Sequence, residues 1–456
     1  MNTDRSLLVP SGPITWQVWP PALDGSTSQS RDCEPSQQPG KAILDTTLGM
    51  QDTLRPPSDI LDLRGVPSSA KPLDRRKLLV AGLGSVGGRL FVQLSRLGVG
   101  ELYGVDPDRY EPASGRTQPS QFSDAGRKKS EVCGERAAAV LPDGFVATAA
   151  TSVQRVPYWL LRHVDLLIAS GDNLAMLLWL GRTAMGLAKM LIEGAVDGDT
   201  WTAFCRVYDL RHPDNACPGC TLSEKDWPTI TTRHGCDPRH DAPEMPSTRT
   251  LPFVCATAAQ IACAEVARHF WELPPVMSGS YEIALCLLSH RLHVTRLQRN
   301  PNCRCPHERW AVRDLPDSPA KATFASVLDR LGISDRSVAF CGEQSWIRSA
   351  VCERCGQRHP VRRFGEVGEQ VGICSCGGPL IATPMGVRHL ISSVDVEAQR
   401  HVPLGQLGFR SGAALGLLCE NKATYVFVGP PPYLTEGTRP APGMDPNPTA
   451  KELNSP

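Results

Sequence analysis

The stretch LLVAGLGSVGGRLFVQLSRLGVGELYGVDPD, residues 78–108, decides the fold. An apolar, β-rich run ends in a glycine loop. A segment with helical spacing of Leu, Phe and Val follows, and then a second apolar run that stops at an acidic residue. Gly82, Gly84 and Gly87 form GxGxxG at the mouth of the helix. Such glycines permit a tight turn and let a phosphate approach backbone N–H groups at a helix N-terminus. Asp106 closes the second strand, where its carboxylate can accept hydrogen bonds from ribose hydroxyls. This much suits NAD as well as ATP. It specifies nucleotide binding on a Rossmann-like sheet and leaves the reaction open.

The same alternation continues outward to about residue 210. KKSEVCGERAAAVLP reads as a helix, VDLLIAS as a strand, NLAMLLWLGRTAMGLA as a helix and MLIEGAV as a strand. That order predicts an α/β fold, a doubly wound, mostly parallel sheet with helices on both faces. Residues 1–75 are rich in Pro, Ser, Gly and Asp and read as an arm or linker, with a short strand hinted near Trp16, Val18 and Trp19. Residues 76–310 form the expected nucleotide-binding domain. A smaller C-terminal domain containing a zinc ribbon is expected over 311–430, and a Pro-rich disordered tail over 431–456. The segment 211–250 is polar, Pro-rich and too long for an ordinary connection, which marks it as a functional or mobile loop.

The chain has 456 residues and a formal net charge of +1, which argues against nucleic acid or an anionic membrane surface as partner. No apolar run approaches the roughly 20 residues of a membrane span, and the first residues lack the pattern of a signal peptide. A cytoplasmic location is expected. The 17 cysteines then point to metal or thiol chemistry rather than disulfides.

Charged residues behind the glycine loop favour ATP over NAD. Arg116 follows the acidic strand end, and Gly126, Lys129 and Glu131 form GxxKxE. Asp172 and Asn173 lie just past a buried strand, at the sheet edge where ligands bind. Arg and Lys can neutralise charge on a transferring phosphoryl group, and Asp can hold magnesium. Hydride transfer needs none of these. Taken singly, a lone Lys or Arg is more often a solvated surface charge and GDN an ordinary turn; their joint order behind one glycine loop carries the reading.

Through GLGSVGG, LSRLGVGELYGVDPDRYEPASGRTQ, DAGRKKSE and DLLIASGDN, the chain resembles the ThiF/MoeB family within the superfamily of ubiquitin-activating enzymes. The resemblance covers roughly residues 75–305, about half the chain. It implies an adenylyltransferase that activates the C-terminal carboxylate of a ubiquitin-like or sulfur-carrier protein with ATP and magnesium. Carried over by motif, Asp106 binds ribose, Arg116 and Lys129 the phosphates and Asp172 magnesium. The family usually has Asn before that arginine, in NLxRQ; here the nearest residue is Ser114, and the segment is one residue shorter. The family commonly forms homodimers. Three alternatives stay open: adenylation of a peptide or small acid, an NAD-dependent oxidoreductase, and a non-catalytic nucleotide-binding scaffold.

Cys217 and Cys220 have the spacing of a zinc knuckle. The resemblance supplies a second pair, Cys303 and Cys305, with His307 as a substitute ligand. Cys352, Cys355, Cys374 and Cys376 read as a separate zinc ribbon. Four thiolates leave no open coordination position, so both sites are expected to be structural. Cys236 lies in the polar loop among Arg233, His234, Arg239 and His240, whose charges would favour thiolate. The resemblance makes it a candidate for a thioester or persulfide step; an incidental loop cysteine or a metal ligand reads equally well. Cys255 is a weaker rival.

Overall fold

A computed structural model describes residues 16–19, 73–141, 144–171, 173–227, 230, 250–333, 338–419 and 422–430. The expected tail, 431–456, lies outside the described residues, as does most of the expected N-terminal arm. The chain divides into two units, one of residues 17–153 and 164–306, the other of 154–163 with 307 onward.

The first unit runs β1 (Gln17–Trp19), β2 (Lys77–Ala81), α1 (Gly87–Arg96), β3 (Glu101–Val105), α2 (Lys129–Ala138) and β4 (Phe145–Ala149). After α3 (Tyr158–His163), which groups with the second unit, come β5 (Leu166–Ala169), α4 (Leu174–Gly186), β6 (Met190–Asp197) and β7 (Thr202–Asp209). Then follow α5 (Pro252–Phe270), β8 (Tyr281–Cys286) and β9 (Arg291–Arg296). The strands form one sheet in the order β1-β4-β3-β2-β5-β6-β7-β8-β9.

From β4 to β6 every neighbouring pair is parallel, as the strand–helix alternation predicts. Strand β2, KLLVA, is buried on both faces, as parallel strands between helices are. Leu78, Val80, Leu166 and Ile168 share a core with Leu90, Phe91 and Leu94 of α1 and with the apolar face of α5. Leu79, Leu167 and Leu191, at alternating positions, are equally buried but belong to the opposite face, where α4 packs on β5 and β6.

Beyond β6 the sheet turns antiparallel, which the alternation did not announce. Only four residues separate β6 from β7, too few for a crossover helix, so the chain must return as a hairpin. Trp201, in that turn, adopts a φ of 53°. The hinted strand in the arm is real: β1 pairs antiparallel with β4 along Gln17–Trp19.

The second unit holds β10 (Ala311–Leu315), α6 (Phe324–Leu331), β11 (Phe340–Cys352), β12 (Arg358–Phe364), β13 (Gln370–Ile373) and β14 (Pro379–Ala382). It ends with β15 (Val387–Ile391), α7 (Ser393–Ala398), β16 (Ala414–Cys419) and β17 (Lys422–Val428). Strand β11 is the spine, pairing with β12, β14, β15 and β16. Phe324, Phe340, Trp346, Phe364 and Phe409 fill its core. Helix α6 starts where Thr323 Oγ1 accepts the Ser326 N–H at 3.1 Å and ends at Gly332, with φ of 68°. Helix α3 joins this unit through Tyr158, tilted against Trp310 and edge-on to Tyr425, and through a two-pronged Arg162–Asp314 ion pair at 2.6 and 3.1 Å.

Candidate functional site

Strand β2 leads into the glycine loop, and each glycine has a different reason to be there. Gly82 has φ of 88°, and a Cβ on it would meet the Gly171 nitrogen at 2.9 Å. A Cβ on Gly87 would lie 1.9 Å from the Gly82 carbonyl oxygen, so this glycine lets the helix start close against the loop. Gly84 faces open space, with nothing within 4 Å of its Cβ position. The amides of residues 84–87 donate to no acceptor among the described residues. Consecutive free amides at a helix N-terminus form a cradle for an anion, and the helix dipole adds to the attraction.

Asp106 ends β3 beside that cradle and is buried. One carboxylate oxygen accepts the Leu83 N–H of the loop at 2.6 Å, and the other accepts the Asp108 N–H at 2.8 Å. The carboxylate thus fixes the loop from the strand beside it, and each oxygen keeps a lone pair for a further donor. Burial pushes its pKa up. The Lys129 ammonium pulls it back, and Asp108 adds to the rise.

Lys129 is buried at the start of α2, its Nζ 2.9 Å from Asp108 Oδ2. The segments 108–110 and 126–129 are zipped by backbone hydrogen bonds, Lys129 to Asp108, Tyr110 to Arg127 and Gly126 to Tyr110. This zipper carries the ammonium to the end of β3. Arg116 closes a 3-10 turn, Pro112–Arg116, and is exposed. Ser114 anchors that turn by accepting the Glu111 N–H at 3.0 Å. Ser114 therefore has a structural job of its own in this turn. Asp106 and Lys129 stand together at the loop. Asp172 and Cys236 lie outside the described residues. Cys255 is buried at the start of α5; burial raises its pKa, and the Arg89 charge opposes the rise. Such a thiol is a poor nucleophile.

Two side chains not singled out from the sequence belong to the site. Asp108 is the partner of Lys129, and Arg89 reaches from α1 to two backbone carbonyls, those of Ser85 and Thr117. The only sequence signal for Arg89 is a charge in the first turn of an amphipathic helix.

The cysteines gather as their spacing suggests. In the first unit the sulfurs of Cys217, Cys220 and Cys303 lie within 4.8 Å of one another. Cys305 stands beside them, near enough for its thiol to interact with those of Cys217 and Cys303. A Cβ on Gly219 would meet Cys305 Sγ at 2.5 Å, so the knuckle needs glycine there. His307 opens the segment that groups with the second unit. In that unit Cys352, Cys355, Cys374 and Cys376 also converge within 4.8 Å, with His359 Nε2 3.2 Å from Cys374 Sγ. Both sets offer the soft, compact sulfur donors that suit zinc.

No curated protein matches the sequence. Among solved structures, the chain is similar to E. coli MccB with AMPCPP and selenomethionine MccA, at 20% identity and a TM-score of 0.42 over 51% of this chain and 67% of that one. MccB with ATP gives the same values. Selenomethionine PaaA is similar at 17% identity and a TM-score of 0.39, over 50% of this chain and 66% of that one. The model of the ThiF family matches residues 61–306, more than half the chain. The chain belongs to the ThiF family, and ATP-dependent adenylation of a carboxylate is the activity that goes with that membership.

Proposed function

We propose that this protein activates the C-terminal carboxylate of a ubiquitin-like or sulfur-carrier protein. The observation that carries the nucleotide half is the cradle of amides at residues 84–87, which have no acceptor among the described residues and are flanked by buried Asp106 and Lys129. ATP phosphates would rest on those amides and ribose hydroxyls on Asp106. The substrate carboxylate attacks the α-phosphorus as the bond to pyrophosphate breaks, leaving an acyl-adenylate and pyrophosphate. Lys129 and Arg116 neutralise the charge that grows on the phosphoryl oxygens. Asp172 is assigned to magnesium from its sequence position. Cys236 is assigned on the same footing to a following thioester step, in which its thiolate would take the acyl group from the adenylate and release AMP. Zinc in the two cysteine sets would serve as a structural clamp, since all four positions are filled by protein.

ATP–pyrophosphate exchange tests this reading. Small β-grasp proteins ending in Gly-Gly should support exchange by the wild-type protein, and Lys129→Ala should abolish it. If short peptides support exchange and the β-grasp proteins do not, the substrate is a peptide and the carrier-protein assignment falls. If nothing supports exchange and ATP does not bind, adenylation itself falls.

A further inference from the structure

Arg89 holds the glycine loop and the Arg116 turn in a single arrangement. It occupies the third position of α1, and its Nη1 donates to the Ser85 carbonyl at 2.5 Å and to the Thr117 carbonyl at 2.7 Å. Ser85 lies within the amide cradle. Thr117 caps the short 3-10 turn that ends at Arg116. One guanidinium thus joins the part of the site that would hold phosphates to the residue just after the cation that would neutralise them.

The neighbouring glycine serves the same junction. A Cβ on Gly88 would lie 2.9 Å from Pro119 Cγ and 2.8 Å from the Leu83 carbonyl. The strand of chain following Arg116 is therefore pressed directly on the start of α1. On its far side the turn is closed by Thr117 N–H and Gln118 N–H, both donating to the Ser114 carbonyl, at 3.1 and 2.7 Å. Arg116 itself is exposed, so its backbone anchorage, and not packing of its side chain, decides where its charge can reach.

We infer that Arg89 is a positioning residue for nucleotide phosphate binding, acting through Arg116. This rests on the reading that the cradle binds ATP. Arg89 itself is engaged with two carbonyl oxygens and has no need to touch the nucleotide. An ammonium in its place could not serve both carbonyls with the same planar geometry.

Titration calorimetry with ATP and with adenosine, in magnesium buffer, tests the inference. Arg116→Ala should weaken ATP by about tenfold, the scale of one charge-assisted hydrogen bond, and leave adenosine unchanged. Arg89→Ala should show the same split. In the Arg89→Ala/Arg116→Ala double variant the two losses should not add, because one acts through the other. Arg89→Lys should recover part of the ATP affinity, and it replaces Arg89→Ala in the cycle if the alanine variant does not fold. Additive losses, or an equal loss of ATP and adenosine, would make Arg89 a merely structural residue and overturn the inference. If the wild-type protein binds neither ligand, the nucleotide reading fails first; if it binds ATP and Arg89→Ala binds it equally well, only the positioning role fails.

Discussion

Lys129 Nζ lies 2.9 Å from Asp108 Oδ2, and the lysine is buried while the aspartate is partly open to solvent. A buried ammonium needs a counter-charge, and Asp108 supplies it. A phosphate arriving on the glycine loop offers a second one. Lys129→Ala should therefore lower the rate of ATP–pyrophosphate exchange by about a hundredfold or more. Asp108→Asn should keep the rate within about threefold, since the amide oxygen still accepts from the ammonium and the bound phosphate then supplies the counter-charge. An equal collapse of both variants would mean the pair acts as a unit in catalysis.

The glycines of the loop separate stability from binding. Gly87→Ala forces a Cβ into the Gly82 carbonyl and should destabilise the first unit on the order of 3 kcal/mol, read by chemical denaturation. Gly84→Ala meets nothing and should leave stability within about 0.5 kcal/mol. It should nonetheless weaken ATP by about tenfold, because its methyl group stands where phosphate must approach the amides. A Gly84→Ala protein that binds ATP normally would place the phosphates elsewhere.

Elemental analysis of the purified protein should find about two zinc atoms per chain, one for each four-donor set. Cys352→Ser with Cys374→Ser should remove one of them and lower the unfolding temperature of the second unit. Cys217→Ser should remove the other. A full complement of zinc in either variant would show that those sulfurs are not ligands.

Glu343 in the second unit gives a pH signature. Its carboxylate accepts the Ala414 N–H at 3.1 Å, and burial pushes its pKa up from 4.5 to about 7, against smaller opposing pulls from that hydrogen bond, the Tyr158 backbone and Arg410. The folded protein therefore binds this proton more tightly than the unfolded chain does. The resulting stabilisation is complete below pH 4.5 and lost as the pH rises through about 7. Urea denaturation of the wild type at pH 5 and pH 8, each compared with Glu343→Gln, should show the wild type losing stability relative to the variant as pH rises. A constant difference would mean Glu343 is ionised throughout.

What could be read from the sequence follows from how local each constraint is. Gly82 and Gly87 were legible because a tight strand-to-helix turn demands glycine within a few residues. Lys129 could be picked out as a candidate because it stands in GxxKxE behind that turn, among other charges in a set order. Arg89 and Asp108 were not: a single charge on a helix or after a strand looks like any solvated one until its distant partner is known. The antiparallel run from β6 to β9 was hidden for a different reason. Apolar strands look alike whichever way they run, and only the four-residue turn before β7 betrays the reversal. Nor could the sequence indicate that α3 packs with residues around Trp310 and Tyr425, since those contacts join positions far apart in the chain.

Strand β1 carries a practical consequence for anyone expressing the nucleotide-binding part alone. The match to the family begins at residue 61, well past Gln17–Trp19. A truncation there would strip the outermost ribbon from β4 and leave a row of unsatisfied N–H and C=O groups along a free sheet margin. Such a margin recruits strands from other molecules. The shortened protein would be expected to precipitate for want of three residues that lie outside its family's boundary.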